Sequence, residues 1–309
     1  MPGSGFKVVG AVSILVVSTV VFVDGVERLA ARLGLTRFAT GSLLAAALTA
    51  LPESFIALIS PFHGSAKAVD VGAASVLAAP SITLLLGAPA VSLFSSGTRL
   101  GSGVWKNYVL FAGLFPAAVL SSYFTPVVGR FMLAFSLILL YAVLARWMVL
   151  AEGDALTDVG PTLAERLLKR ESIWLAVIQA AVSVSGMVYG ADMFLDAVSG
   201  FENHFTYTLL VSPFATCSEE VLAAAYWTAR RKPDIAISLL SGENLIQATF
   251  VVGLGMASTG WSLPASAVFV SAVYCLSATL LAYSVWAARL KLTPTVILLY
   301  PAYVYTSTF

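Results

Sequence analysis

The chain has 309 residues, of which 59% are hydrophobic and only 11% are charged, and its mean hydropathy is +0.91. Soluble domains carry about 25% charged residues, so this composition excludes a soluble globular protein. The net charge of +1 provides no basic surface for nucleic acid. We therefore expect the chain to be surrounded by the lipid bilayer and to bind no nucleic acid.

Uncharged stretches long enough to cross a bilayer follow one another along the chain. A spanning helix needs about 20 mostly apolar residues, whereas the strands of a barrel would give short alternating segments. The first stretch precedes further spans, so we interpret it as a retained helix. The sequence predicts an all-α membrane protein with ten transmembrane helices, at residues 7–30, 38–62, 69–97, 105–124, 127–149, 172–197, 203–229, 234–257, 262–286 and 291–308.

One long polar connection, residues 151–171, divides these spans into five and five. It predicts a first five-helix repeat at 1–150, a cytoplasmic linker at 151–171 and a second five-helix repeat at 172–309. Basic residues favour the cytoplasmic side. With the N-terminus outside, 14 of the 17 Lys and Arg residues are cytoplasmic. We expect a multi-pass protein of the cell (plasma) membrane, with two halves of opposite orientation.

The two halves share an internal motif. Leu48-Thr-Ala-Leu-Pro-Glu53 matches Ala215-Thr-Cys-Ser-Glu-Glu220, and each places a threonine four residues before a glutamate. The helices that follow open at Asp70 and Asp234. Inverted repeats with a polar site at broken helices are typical of secondary transporters.

Glutamates interrupt three of the predicted spans. They are Glu53, the neighbours Glu219 and Glu220, and Glu243. A carboxylate at mid-bilayer costs about 2.5–3.5 kcal/mol or more, so it usually marks an ion path or a structural pair. Glu219 lies about 100° around the helix from Glu220. We expect Glu220 in the site and Glu219 in a vestibule or in packing.

Further polar side chains share helix faces with these acids, because residues four apart are neighbours on a helix. Pro52, Pro80 and the segment Ser241–Asn244 are expected to interrupt helices and to expose backbone carbonyls. Oxygen ligands without histidine favour a hard cation such as Ca²⁺. The candidate metal ligands are Glu53, Glu220, Glu243, Thr49, Thr216, Gln247, Thr83 and Asn244.

The segments 41–87 and 214–253 resemble the paired α-repeats of the sodium/calcium exchanger superfamily, as in a prokaryotic-type member. The resemblance implies the ten-helix layout and calcium transport without a cofactor. It places the central ligands at Glu53 and Glu220. The remaining ligand positions that it implies are Thr49, Ala50, Ala79, Thr83, Thr216, Cys217, Glu243 and Gln247. The sequence departs from the family pattern at Ala78–Thr83, Ser218–Glu219 and Gly242–Gln247.

We therefore expect a secondary active cation antiporter, not an enzyme, which exchanges Ca²⁺ for H⁺ or Na⁺. The third acid, Glu243, favours protons, because crowded carboxylates can hold a proton when the cation leaves. Transport of another cation and a passive channel are alternatives, and the oligomeric state stays open. An intramembrane enzyme of prenyltransferase type is suggested only by the spacing of Asp192 and Asp196, and such enzymes pair two motifs of this kind.

Overall fold

The computed structural model describes residues 2–63, 66–95, 98, 100–157, 159–198, 208–210, 213–214 and 217–308. Within these ranges all named elements are helical, and the one β-bridge, between Thr36 and Ala155, is isolated. Six helices of the described part are long and apolar enough to cross a membrane. The prediction of an all-α membrane protein is therefore confirmed, whereas the count of ten spanning helices stays a prediction.

The helices are numbered in chain order. They are α1 (Pro2–Arg32), α2 (37–49), α3 (Leu51–Ile59), α4 (Ala66–Ala78), α5 (80–93), α6 (Ser102–Phe124), α7 (Val127–Leu150), α8 (Leu163–Leu168), α9 (Ile173–Val198), α10 (Ser218–Ala229), α11 (Pro233–Thr259), α12 (Ser266–Trp286) and α13 (Tyr300–Ser307). Two 3₁₀ segments, Ser60–His63 and Leu290–Leu299, follow α3 and precede α13.

Three helices contain a π-helical segment: Thr40–Ala45 in α2, Thr83–Gly87 in α5 and Gln247–Val251 in α11. The last two have five residues each and begin at the positions that the internal repeat aligns, Thr83 and Gln247. Within transmembrane helices, such local adjustments redirect side chains and backbone groups, and they are frequent at functional sites.

The interruptions predicted at Pro52 and Pro80 are found, whereas the one predicted at Ser241–Asn244 is not. Ala50 separates α2 from α3, with Pro52 in the first turn of α3, and Ala79 separates α4 from α5. We expected Ser241–Asn244 to break a helix, and this was wrong, because a helix runs unbroken over Pro233–Ile246. The single glycine there serves close packing instead.

Helices α2 and α11 cross with their backbones in contact. A Cβ atom at Gly41 would lie 2.5 Å from the Ile235 carbonyl oxygen, and one at Gly242 would collide with the backbone of Ser42. The Ser42 hydroxyl donates a hydrogen bond of 2.7 Å to the Ser238 carbonyl. Small residues permit such close approach between membrane helices, where lipid provides no hydrophobic driving force.

The Asn107 side chain of α6 joins the same crossing from a third helix. Its amide nitrogen lies 3.3 Å from the Ser42 hydroxyl and 3.2 Å from the Ser241 hydroxyl. All three side chains are buried, so these hydrogen bonds form out of reach of water. They fix the position of α11 relative to α2 and α6.

At one end, α1 is tied by ion pairs to the linker and to α10. Asp24 contacts Arg166 at 3.1 Å and Arg230 at 3.0 Å. Glu27, which is 2% exposed, accepts hydrogen bonds of 2.8 Å from the Trp227 indole and 2.7 Å from Lys232. Exposed ion pairs contribute little to stability, but the Glu27 pairing is shielded from water.

The linker helix α8 is also held against α1. Glu165 forms a capping box with Thr162 and accepts a hydrogen bond of 3.0 Å from the Ser172 amide. Arg28 of α1 pairs with Glu165 at 3.0 Å. Although burial opposes the charged form, the Thr162 and Ser172 amides and Arg28 hold the pKa of Glu165 below its usual range. Glu165 is thus a charged anchor between the linker and α1.

The crossing of α2 and α11 yields a prediction about stability. Gly242→Ala should destabilise the folded protein by about 1–3 kcal/mol, because the added methyl group must displace backbone atoms of α2. Thermal unfolding of the purified protein in detergent measures this. Gly113→Ala is the matched control, because a Cβ atom there meets nothing within 4 Å. Equal unfolding temperatures of the two variants would contradict the close crossing.

Candidate functional site

The candidate site lies where two helices begin after interruptions. Glu53 is in the first turn of α3, just after the break at Ala50. Glu219 and Glu220 are in the first turn of α10, which Cys217 precedes as the capping residue. The first turn of a helix carries a partial positive charge and favours anionic groups. Both junctions are therefore places where a membrane protein can accommodate buried carboxylates.

The two junctions meet in a compact cluster of ligand atoms. The Cys217 thiol lies 3.3 Å from Glu53 Oε1. One ligand atom from each of Glu53, Cys217 and Glu220 falls within 4.8 Å of the others. Glu53 and Glu220 are 0% exposed and Cys217 is 1% exposed. Such a group can hold one metal ion, with carboxylates contributed from both halves of the chain.

Glu243 approaches the cluster from α11. Its Oε2 accepts a hydrogen bond of 3.1 Å from the Thr49 hydroxyl, and its Oε1 accepts one of 2.9 Å from the Gln247 amide. Glu243 is 1% exposed, so its carboxylate is buried like those of Glu53 and Glu220. The predicted pair on one helix face, Glu243 and Gln247, is thus in contact, and Thr49 adds a bond between the halves.

A further bond between the halves involves α5 and α11. The Thr83 hydroxyl donates to the Asn244 side-chain oxygen at 3.3 Å, and the Asn244 amide donates to the Leu240 carbonyl at 2.6 Å. Both side chains are buried. The oxygen of Thr83 therefore lies beside that of Asn244, although Thr83 belongs to the first half and Asn244 to the second.

Glu219 is as fully buried as its neighbour Glu220, at 0% exposure. Of the two roles that we expected for it, burial agrees with packing and not with a vestibule. No side chain among the other described residues donates a hydrogen bond to a carboxylate oxygen of Glu219 or Glu220. Since buried charges are costly unless they are paired, both groups require a cation or a proton.

Two contributors were not identified from the sequence, Asn107 and the thiol of Cys217. The resemblance implied a ligand position at Cys217 without indicating its thiol, and the sulfur contacts Glu53. Asn107 follows Lys106 near the start of a largely apolar helix, and its polarity was the one available signal. Cys217 carried a signal as well, because it lies between the paired threonine and glutamate of the repeat.

Several residues singled out in the sequence lie outside the described part of the chain. These are Thr216 and the side chains of Asp192 and Asp196. The predicted site residues that fall within it form the contacts given above: Thr49, Glu53, Thr83, Glu220, Glu243, Asn244 and Gln247.

The comparisons with known proteins decide the family. The family model described as "Sodium/calcium exchanger protein" matches residues 6–150 and 175–309, which is most of the chain. The chain belongs to the sodium/calcium exchanger family. A search of curated proteins found no match. As a member of this family, the protein is a cation antiporter and not an enzyme, as the repeats predicted.

Solved structures agree with this exchanger fold. The chain is similar to the sodium-calcium exchanger NCX_Mj soaked with 100 mM Na⁺ and 10 mM Sr²⁺, with a TM-score of 0.74 at 18% identity, over 98% of this chain and 97% of that one. The NCX_Mj structure soaked with zero Na⁺ and Ca²⁺ matches with a TM-score of 0.73 at 17% identity, over 98% of both chains. At this identity the similarity shows the fold.

The buried thiol provides a direct test of the cluster. In a Cys275→Ser protein, Cys217 is the only thiol left. A small methanethiosulfonate reagent should modify it slowly, because it is 1% exposed. A transported cation at about ten times its Kd should slow the reaction about tenfold, because only about a tenth of the sites stay free. Mass spectrometry of the intact protein measures the rate.

Cys275 provides the control for this experiment. Its sulfur contacts the Ala112 carbonyl on α6, away from the cluster. In a Cys217→Ala protein, the modification rate of Cys275 should not change with cation. Equal cation effects on the two thiols, or no effect on Cys217, would remove Cys217 from the site.

Proposed function

We propose that this protein exchanges Ca²⁺ for H⁺ or Na⁺ across the cell membrane. The observation that carries the proposal is the convergence of Glu53 and Glu220, from equivalent positions in two repeats, within one group of ligand atoms. A divalent cation neutralises two carboxylates that come from opposite halves. In an inverted repeat, each half can open such a site towards its own side of the membrane. No cofactor takes part in such an exchange.

The proposed cation ligands are mainly oxygens. Glu53 and Glu220 supply the central carboxylates, and Glu243 supplies a third. Calcium takes six to eight oxygen ligands, including carboxylate, amide and hydroxyl groups in flexible geometry. The remaining oxygens of the proposed site come from Thr49, Thr83, Thr216, Asn244 and Gln247.

We assign the architecture of the family to the whole chain. The proposed arrangement has ten transmembrane helices in two inverted five-helix repeats, at residues 1–150 and 172–309, joined by a cytoplasmic linker at 151–171. The N-terminus lies outside, in the plasma membrane. The π segments that begin at Thr83 and Gln247 support the repeat, because they occur at aligned positions. The distribution of basic residues supports the orientation.

A second candidate is transport of a softer divalent cation in place of calcium. The observation that favours it is the Cys217 sulfur, which is one of the three possible metal ligands of the cluster. Thiolates select softer metals, whereas carboxylates and amides suit calcium. Inhibition of Ca²⁺ uptake by Cd²⁺ and by Sr²⁺ in vesicles separates the two candidates. If the protein transports calcium, Sr²⁺ should inhibit the uptake, and Cys217→Ser should not change this inhibition.

The central carboxylates yield a transport prediction. Glu53→Gln and Glu220→Gln should each lower calcium exchange in proteoliposomes by more than about 100-fold, because each removes a charged ligand of the cation. The variants should still be folded, as judged by gel filtration. Glu152→Gln is the control, because Glu152 is exposed in the linker. Near-normal exchange by either site variant would refute the assignment.

The counter-ion is tested by driving calcium with a pH gradient in sodium-free vesicles. We expect the wild type to move calcium under these conditions, because four buried glutamates crowd the site and can take protons when calcium leaves. Glu243→Gln should abolish proton-driven flux while leaving calcium binding measurable. Glu219→Gln is measured in the same assay for comparison. Both oxygens of Glu243 accept hydrogen bonds, whereas neither oxygen of Glu219 accepts one from another described residue.

Two outcomes decide between the counter-ions. Loss of proton-driven flux in Glu219→Gln, with normal flux in Glu243→Gln, would move the proton-carrying role to Glu219. A strict sodium requirement in the wild type, without any calcium-linked proton movement, would establish sodium as the counter-ion.

A further inference from the structure

A cavity distant from the ion site opens at one end of the helix bundle. It has a volume of about 740 Å³ and lies between the start of α6, the end of α12 and the segment that follows α12. Its walls include Ser102, Trp105, Trp286, Arg289 and Lys291. This volume is in the range of small-ligand sites.

The cavity carries two cations that no carboxylate of the described residues pairs with. Neither Arg289 nor Lys291 forms an ion pair with a described residue, and both are exposed. The nearby Lys106 differs from them, because its ammonium group lies 5.9 Å from the Trp105 ring and 5.6 Å from the Trp147 ring. The charge of the cavity is therefore positive and matches an anionic ligand.

A rigid turn holds these cations in place. The Ala288 amide bonds to the Val285 carbonyl at 3.1 Å, and the Arg289 amide bonds to the Ser284 carbonyl at 2.8 Å. Ala288 has a φ of 51°, in the left-handed region. This pattern is a Schellman motif, which ends α12 and directs the chain across the mouth of the cavity.

An apolar groove adjoins the cavity and runs along the bundle surface. It has a volume of about 350 Å³, lies between α6 and α12, and shares Trp105 and Trp286 with the cavity. Its other walls are Val109, Ala112, Thr279, Ala282 and Tyr283. Trp286 is 66% exposed. A basic cavity that continues into an apolar groove matches a molecule with an anionic head and a hydrocarbon chain.

We propose that this cavity and groove bind an anionic phospholipid. Its phosphate lies between Arg289 and Lys291, and one acyl chain follows the groove between α6 and α12. Tryptophan side chains favour the level of the lipid headgroups, and basic pockets between membrane helices bind acidic headgroups. A free phosphate would use only the cavity and leave the groove unfilled, so the continuous shape favours a lipid. The inference is independent of the ion site.

The experiment follows lipid binding by tryptophan fluorescence of the full-length protein in neutral detergent. Phosphatidylglycerol with brominated acyl chains is compared with phosphatidylcholine that carries the same chains, because bromine quenches tryptophan at contact. We expect half-maximal quenching at an at least tenfold lower concentration of phosphatidylglycerol. Trp105→Phe together with Trp286→Phe should remove most of the quenching, because these two indoles line the cavity and the groove.

Charge variants locate the headgroup. Arg289→Gln with Lys291→Gln should remove the preference for phosphatidylglycerol. Arg146→Gln with Arg170→Gln should retain it, because this pair loses the same charge from exposed positions outside the cavity. If the double variant fails to fold, Arg289→Gln and Lys291→Gln alone should each reduce the preference about threefold.

Three results would overturn the proposal. The first is equal quenching by the two lipids. The second is an equal loss of preference in both double charge variants. The third is displacement of phosphatidylglycerol by inorganic phosphate at the same concentration, which would leave a simple anion site with no lipid.

Discussion

Four glutamates share a region that packed helices and lipid separate from water. Glu53, Glu219, Glu220 and Glu243 are each at most 1% exposed. Water cannot hydrate these carboxylates, and each raises the energy of the others, so their shared negative charge is stable only when cations or protons enter. The partial positive charge at the first turns of α3 and α10 offsets part of this cost. The rest of the structure serves to bring these two turns together.

The close crossing of α2 and α11 satisfies that requirement geometrically. The crossing is dry and fixed, because Gly41 and Gly242 remove the side chains that would separate the two backbones. From this crossing, Thr49 and Glu243 lie within hydrogen-bond distance although they come from different halves. The geometry of the proposed ion site therefore depends on two glycines that are not among its proposed ligands.

Much of the fold and of the candidate site was predictable from the sequence. The helical class follows from composition, since long uncharged stretches have few other solutions in lipid. The contact of Glu243 with Gln247 was visible as a four-residue spacing on one helix face, whereas Thr49, four residues before Glu53, bonds to Glu243 of the other half instead. The internal repeat made Glu53 and Glu220 equivalent before any contact was known.

Other features depend on tertiary contacts that the sequence does not encode locally. Ser241–Asn244 has the composition of a break, but the segment stays helical because Gly242 packs against the backbone of Ser42. Angular position alone placed Glu219 away from Glu220, yet the helices around α10 bury both. The sulfur of Cys217 faces Glu53 only because the two helix junctions meet, which no one-dimensional pattern expresses.

The ion pairs at the end of α1 group this helix with helices of the second half, although its sequence belongs to the first half. Asp24 and Glu27 belong to the first half, but their partners Arg230 and Lys232 lie at the end of α10 in the second half. Along its length, α1 packs on α9, also of the second half, where Gly25 fits against Ala180. In any rearrangement that keeps these contacts, α1 travels with helices of the other repeat. The two predicted repeats and the groups of helices that would move together then have different borders, and the linker, whose Glu165 pairs with Arg28, stays with the group that contains α1.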